Sequence, residues 1–189
     1  MIKELQFLLK NSKNIDSALI VSPENRRYFT EFPSSDGFLL VTRDDAVFIT
    51  DSRYIEAAEN KVTECKTALQ KREISQVYDF FKSNGAEKVG IEASRMTVSE
   101  LAKFDNALKD ISIDFSGELD NMIDALRMVK SESEIEKIKK AQKIAEGAFD
   151  DICGFISRRY RKGDCAQTRI LYADARRRGP FVRDYRRKR

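Results

Sequence analysis

Apolar positions along the first 130 residues follow two alternating rhythms. Ile2, Leu5, Leu8 and Leu9 fall at helical spacing and predict a short amphipathic helix at the start of the chain. Ala18-Leu19-Ile20-Val21, between Asp16 and Ser22-Pro23, is a compact apolar run and reads as a buried strand. Phe38-Leu39-Leu40-Val41 and Ala46-Val47-Phe48-Ile49 flank Arg43-Asp44-Asp45, which predicts a hairpin. Asp51-Ser52 is placed to cap a helix running through Tyr54, Ile55, Ala57 and Ala58. Residues 72–83 carry Ile74, Val77, Tyr78, Phe80 and Phe81 on a helical pattern that stops at Asn84-Gly85. Val89-Gly90-Ile91 is a short strand. Thr97-Val98-Ser99-Glu100 has the form of a capping box and leads a helix through Leu101, Phe104 and Leu108. Ile111-Ser112-Ile113-Asp114-Phe115 alternates strictly, as a half-exposed strand does. Strands interleaved with helices predict an α/β domain. From Leu119 to Ile156 the pattern is helical, broken by a second capping box at Ser131-Glu132-Ser133-Glu134. Beyond it Ile135, Ile138, Ala141, Ile144, Ala145, Ala148, Phe149 and Ile152 form an apolar stripe on one side of a long helix, and such a stripe needs a packing partner.

Composition narrows the chemistry. The 189 residues contain no histidine, which excludes a serine or cysteine triad with a histidine base and any metal site needing an imidazole. Cys65, Cys153 and Cys165 are an odd, sparse set, which argues for a reducing compartment and a cytoplasmic location. No apolar run approaches the roughly 18 residues of a membrane span, and the mixed-charge start Met1–Gln6 does not read as a signal peptide. Charge is divided unevenly. Residues 158–189 hold 13 basic and three acidic side chains, a balance of +10, whereas the remainder holds 22 basic and 28 acidic, a balance of −6. Such a break marks a compositional boundary.

Four segments carry a resemblance. They are Asn25-Arg26-Arg27-Tyr28-Phe29-Thr30-Glu31-Phe32, Ser35-Asp36-Gly37-Phe38-Leu39-Leu40-Val41-Thr42, Ile49-Thr50-Asp51-Ser52-Arg53-Tyr54, and Leu126-Arg127-Met128-Val129-Lys130-Ser131-Glu132-Ser133-Glu134-Ile135. In that order they resemble the N-terminal domain of the creatinase/prolidase family, as found in Xaa-Pro aminopeptidases. Glu31 stands where that family commonly has glycine, and Pro33 where it commonly has threonine. The resemblance implies a mixed sheet with helices on both faces over residues 1–126. A linker and the first helix of an α+β catalytic domain would follow over 127–157, and a basic tail, expected to be disordered, over 158–189. Intact relatives are implied to hydrolyse the bond before proline at a peptide N-terminus. They would use two divalent metals (manganese, cobalt or zinc) held by two Asp, one His and two Glu. That catalytic half is not found in these residues. The expectation is therefore a truncated member of the Xaa-Pro peptidase family without cofactor or activity of its own. Its N-terminal domain would serve dimerisation and active-site shaping, as a homodimer or beside an intact subunit.

The basic tail has an explanation in the genetic code. Asp164 to Ala173, written in degenerate codons and read one base further on, can spell Ile-Ala-Leu-(Lys/Arg)-Leu-Glu-Phe-Tyr-Met. Arg178 to Arg189 can spell Glu-Gly-Pro-Ser-Phe-Glu-Thr-Ile-Val-Ala-Ser-Gly, and Arg158 to Lys162 can spell Gly-Val-Thr-Glu-Lys. These strings resemble the start of the family's catalytic half, so a one-base shift near Ser157 is inferred. A DNA read across that codon with no tract able to slip, in related genes that share the tail, would remove the inference. The rival reading is an arginine-rich arm for non-specific nucleic-acid binding through Arg176-Arg177-Arg178 and Arg186-Arg187-Lys188-Arg189, with Tyr160, Tyr172 and Tyr185 stacking on bases. The acidic body and the lack of a nucleic-acid motif weigh against it.

Candidate site residues are few. Asp51, Arg53 and Tyr54 could guide substrate or pair across a dimer interface. The simpler reading, which we favour, is an N-cap aspartate and an arginine tied to a local carboxylate. Tyr28 and Tyr54 read as amphipathic packing residues rather than pocket walls. Cys153 is expected to be a buried, inert thiol. Asp44-Asp45 and Asp150-Asp151 are adjacent pairs that point apart, which disfavours metal binding.

Overall fold

The apolar runs that are buried on both faces form the central strands of the sheet. The computed structural model describes residues 1–158 except 72 and 109. The six strands are β1 (Ser17–Ile20), β2 (Phe38–Thr42), β3 (Ala46–Thr50), β4 (Lys66–Leu69), β5 (Lys88–Ile91) and β6 (Ser112–Asp114). They form one mixed sheet in the order β4-β3-β2-β1-β5-β6. β1 and β2 pair antiparallel, as do β2 and β3, while β4 is parallel to β3, β5 to β1 and β6 to β5. The register aligns Ile91, Leu19, Leu40 and Val47 across one face, and Ile20, Leu39 and Phe48 across the other. Because successive side chains alternate faces, a central strand is apolar over most of its length, as Ala18–Ile20, Phe38–Val41 and Ala46–Ile49 are.

Seven helices complete the described chain: α1 (Ile2–Asn11), α2 (Pro23–Thr30), α3 (Ile55–Lys61), α4 (Glu73–Ser83), α5 (Val98–Ala107), α6 (Glu118–Met128) and α7 (Glu132–Arg158). Helices cover both faces of the sheet. Leu5 and Leu9 of α1, Phe29 of α2, Ala58 of α3, and Leu119 and Ile123 of α6 pack with Ala18, Ile20, Leu39, Val41 and Phe48. On the opposite face, Val77 and Phe81 of α4 and Phe104 of α5 pack with Leu19, Leu40, Val47, Ile49, Val89 and Ile91. Gly90 of β5 permits the close approach of α6, since a Cβ there would lie 2.9 Å from Ile15 Cδ1 and 3.3 Å from Leu119 Cβ.

Two elements depart from the pattern reading. Ser22-Pro23, which bounds the first strand in the sequence, also opens α2: the Ser22 hydroxyl accepts from the Asn25 amide and proline occupies the first helical turn. β4 also escapes the pattern, being an edge strand of four residues with no fully buried side chain. Two further details stand out. Asp51 does not cap α3, which begins at Ile55; its carbonyl accepts from the Tyr54 and Ile55 amides in the turn before the helix. The capping box at Thr97 is present, the hydroxyl accepting from the Glu100 amide while the Glu100 carboxylate accepts from the Thr97 amide. Ser131 and Glu134 exchange the same pair of hydrogen bonds before α7.

Backbone contacts divide the chain into Met1–Val129, which holds the sheet, and Lys130–Arg189. In the second unit α7 is helical with Ile138, Ile144 and Phe149 exposed. Cys153 is exposed too, contrary to the burial expected for it, because it lies one position past half-buried Ile152. The basic tail, and with it the shifted frame and the arginine-rich arm, lies outside the described residues apart from Arg158.

Candidate functional site

The turn that follows β3 and the loop that precedes β2 bring the sequence-derived candidates to one surface. Asp51 folds back on its own turn, its Oδ1 accepting the Arg53 amide at 2.8 Å. Its Oδ2 accepts Arg53 Nε at 2.8 Å and also the guanidinium Nη2. Each partner stabilises the other's charged form: hydrogen bonds from Arg53 lower the Asp51 carboxyl below its ordinary value, and the same bonds raise the Arg53 guanidinium. Arg53 reaches Asp36 as well, at 3.9 Å, and its guanidinium carbon lies 5.4 Å from the centre of the Tyr54 ring. The Tyr54 hydroxyl is 3.0 Å from Ser35 Oγ, and its ring meets Phe32 edge-on. Asp51, Arg53 and Tyr54 are thus brought together with Ser35 and Asp36. Arg53 is exposed, and its Nε and Nη2 donate to Asp51.

Beneath this surface lies a buried polar network that the pattern reading did not single out. Glu92, at the end of β5, is fully buried and accepts four hydrogen bonds. Its Oε2 takes the Val21 and Ser22 amides at 2.6 and 2.8 Å. Its Oε1 takes Ser22 Oγ at 2.5 Å and Asn25 Nδ2 at 2.6 Å. The carboxylate therefore sits at the N-terminus of α2, where orphan amides and the helix dipole favour negative charge. Arg26, one turn into α2, is also buried. It donates to the Val21, Gly37 and Ser34 carbonyls and so fastens the 34–37 loop. Burial draws its guanidinium below the ordinary value, opposed by the charges of Asp36, Glu92 and Glu24. Arg26 Nε and Ser34 Oγ are buried without a hydrogen-bond partner. Of the two adjacent arginines only Arg26 turns inward; Arg27 is exposed. A Ser-Pro start to a helix was the available signal for this network. An acid directly after a short strand gave none.

Nothing in the described residues assembles a hydrolytic centre. No group of three or more Cys, Asp or Glu side chains there is arranged to hold a metal ion. Asp44 and Asp45 are engaged separately, with Lys10 and Lys66. The donor set implied for the catalytic half, which includes histidine, does not fit a chain that has none. Burial pushes the Cys65 thiol up to about 12, so it is protonated and unreactive at neutral pH. Tyr28 and Tyr54 are half-buried against the core cluster. No helix among the described residues is long and apolar enough to cross a membrane.

A six-stranded mixed sheet of this order, flanked by helices on both faces, defines a discrete α/β module. Residues 1–129 match the family model described as the Creatinase/Prolidase N-terminal domain, and the chain belongs to that family. It is 34% identical over 143 residues to the uncharacterized peptidase YqhT of Bacillus subtilis, covering 75% of this chain and 40% of that protein. It is also 34% identical over 155 residues to a putative Xaa-Pro aminopeptidase of Mycoplasma genitalium, covering 82% of this chain and 42% of that protein. Among solved structures, an Xaa-Pro dipeptidase from Bacillus anthracis superimposes with a TM-score of 0.81 at 29% identity, covering 94% of this chain and 48% of that one. The N-terminal domain of the cytoplasmic peptidase PepQ from Mycobacterium tuberculosis gives 0.57 at 28% identity, covering 64% of this chain and 96% of that one. The chain spans about two fifths of the length of these two curated relatives.

Proposed function

We propose that residues 1–129 are the non-catalytic N-terminal module of a cytoplasmic Xaa-Pro peptidase, and that they pair with a second copy or with an intact family subunit to help wall its active site. The observation that carries this reading is the family match over the whole sheet-bearing unit. The patch of exposed Ser35 and Arg53 with half-buried Asp36, Asp51 and Tyr54 is the surface we assign to that pairing. It is anchored from below by Arg26 and carries both signs of charge, which suits a polar contact that sets orientation more than affinity.

Two measurements test the proposal. The purified 189-residue chain, supplied with manganese, cobalt or zinc, is expected to show no cleavage of an Xaa-Pro dipeptide or tripeptide, because no histidine is available to complete the dinuclear site. Chelator-sensitive turnover from a preparation free of host peptidase would refute the non-catalytic assignment. Analytical sedimentation is expected to show a dimer that Arg53→Ala weakens. A monomer at every concentration that also fails to bind an intact family subunit would refute the pairing.

A further inference from the structure

Two of the motifs quoted from the sequence, Asn25 to Phe32 and Leu126 to Ile135, meet in space although about a hundred residues separate them. The Tyr28 hydroxyl donates to the Leu126 carbonyl at 3.0 Å, satisfying one of the carbonyls that the end of α6 leaves without an intrahelical partner. The Tyr28 ring lies 5.7 Å from the Arg127 guanidinium carbon. Arg127 Nη1 donates to Asn25 Oδ1, and the Asn25 amide donates onward to Glu92. Burial stops at this place. Leu119 and Ile123 of α6 are in the core, Leu126 and Arg127 are half-buried, and Met128 and Val129 are 73% and 77% exposed. The division between the two units falls directly after Val129.

We propose that Asn25, Tyr28 and Arg127 form a latch that holds the last turn of α6 to the N-terminus of α2. The latch fixes the place where α6 ends on the sheet-bearing unit. Its parts have complementary roles. Tyr28 supplies a carbonyl cap and an aromatic face, and Arg127 supplies a cation that suits a helix C-terminus. Asn25 faces two ways: its carbonyl oxygen accepts from Arg127 while its amide donates to the buried Glu92 carboxylate. The last turn of α6 is thereby tied, through one side chain, to a group that cannot move without exposing unpaired donors. The latch lies wholly within the sheet-bearing unit and does not rest on the module reading above.

Hydrogen exchange on the full chain, followed by mass spectrometry of proteolytic peptides, tests the latch without any activity assay. Arg127→Met keeps the aliphatic stem and removes the charge; Tyr28→Phe keeps the ring and removes the cap. Both side chains are only half-buried, so both variants should fold. Each is expected to speed exchange of the amides of residues 124–129 about tenfold. Peptides from β1, β2 and β5 should exchange at the wild-type rate. The double variant is expected to exchange no faster than about the worse single variant, because the parts act together. Unchanged exchange at 124–129, an equal rise throughout the sheet, or strictly additive effects would each overturn the latch. None of these outcomes would bear on whether the module belongs to an Xaa-Pro peptidase.

Discussion

Glu92→Ala is expected to destabilise the sheet-bearing unit more than any other single truncation of a polar side chain. The carboxylate is fully buried and is the acceptor for two backbone amides, a serine hydroxyl and an asparagine amide. Alanine removes all four bonds and leaves the donors with no water to replace it. Each buried donor left unpaired costs about 1–3 kcal/mol, so the loss is roughly 4 kcal/mol or more. That is most of the stability of a marginal domain, whose total lies at about 5–15 kcal/mol. Part of the cost is electrostatic, since α2 loses the negative charge at its N-terminus. Glu92→Gln separates the contributions. It keeps the volume and one acceptor oxygen but turns an amide donor toward other donors, and it should fall between wild type and alanine. Urea unfolding at unchanged m-value is the measurement. A shift of under about 1 kcal/mol for the alanine variant would show that the network relaxes or rehydrates, and Glu92 would not be the anchor of α2.

Gly37→Ala is expected to cost about 2–4 kcal/mol through the backbone alone. Gly37 has φ +119°, a conformation that side-chain-bearing residues rarely adopt. A Cβ there would collide with the Ile49 carbonyl oxygen and lie 3.3 Å from Thr50 Cα. Both are backbone atoms at the end of β3 and cannot yield without breaking the β2–β3 ladder. The Gly37 carbonyl also accepts from Arg26, so displacement would loosen the 34–37 loop and the patch it carries. Gly85 provides the control: its φ is +66°, and a Cβ added there would meet no atom within 4 Å. Gly85→Ala should cost about 1 kcal/mol, the strain of the left-handed region without the clash. Glu31 makes the complementary case. It ends α2 in the left-handed conformation, φ 53°, a region that favours glycine. Glu31→Gly should therefore raise stability by roughly 0.5–1 kcal/mol. Thermal unfolding of the three variants should rank Glu31→Gly above wild type, then Gly85→Ala, then Gly37→Ala. Equal melting temperatures for the two alanine variants would show that the clash at Gly37 is relieved by a shift the ladder tolerates.

Much of the architecture is legible in the order of residues. Leu39, Leu40 and Val41 show a strand buried on both faces because each neighbouring position must satisfy a different layer. Thr97 with Glu100, and Ser131 with Glu134, announce helix starts because both bonds of a capping box are made within four residues. β4 was not legible, because an edge strand with one partner needs no regular burial. α2 was hidden behind the strand before it: Ser22-Pro23 both ends a strand and begins a helix, and only two of its apolar positions, Tyr28 and Phe29, face or approach the core.

The candidate site divides along the same line. Asp51, Arg53 and Tyr54 lie within four residues, and their mutual contacts are made within one turn, so proximity in the chain foretold proximity in space. The short-range order of the sequence thus determined most of the elements, the capping boxes at Thr97 and Ser131, the family and this surface cluster, since each depends on contacts between near neighbours. Tertiary structure alone decided that Arg26 turns inward while Arg27 does not, that Glu92 receives the N-terminus of α2, and that Arg127 closes on Asn25. The Glu92–Asn25 and Arg127–Asn25 bonds join residues 67 and 102 positions apart. A polar side chain becomes a buried anchor only when the packing of the sheet removes its water and brings distant donors to it, and no periodicity in the chain records that event.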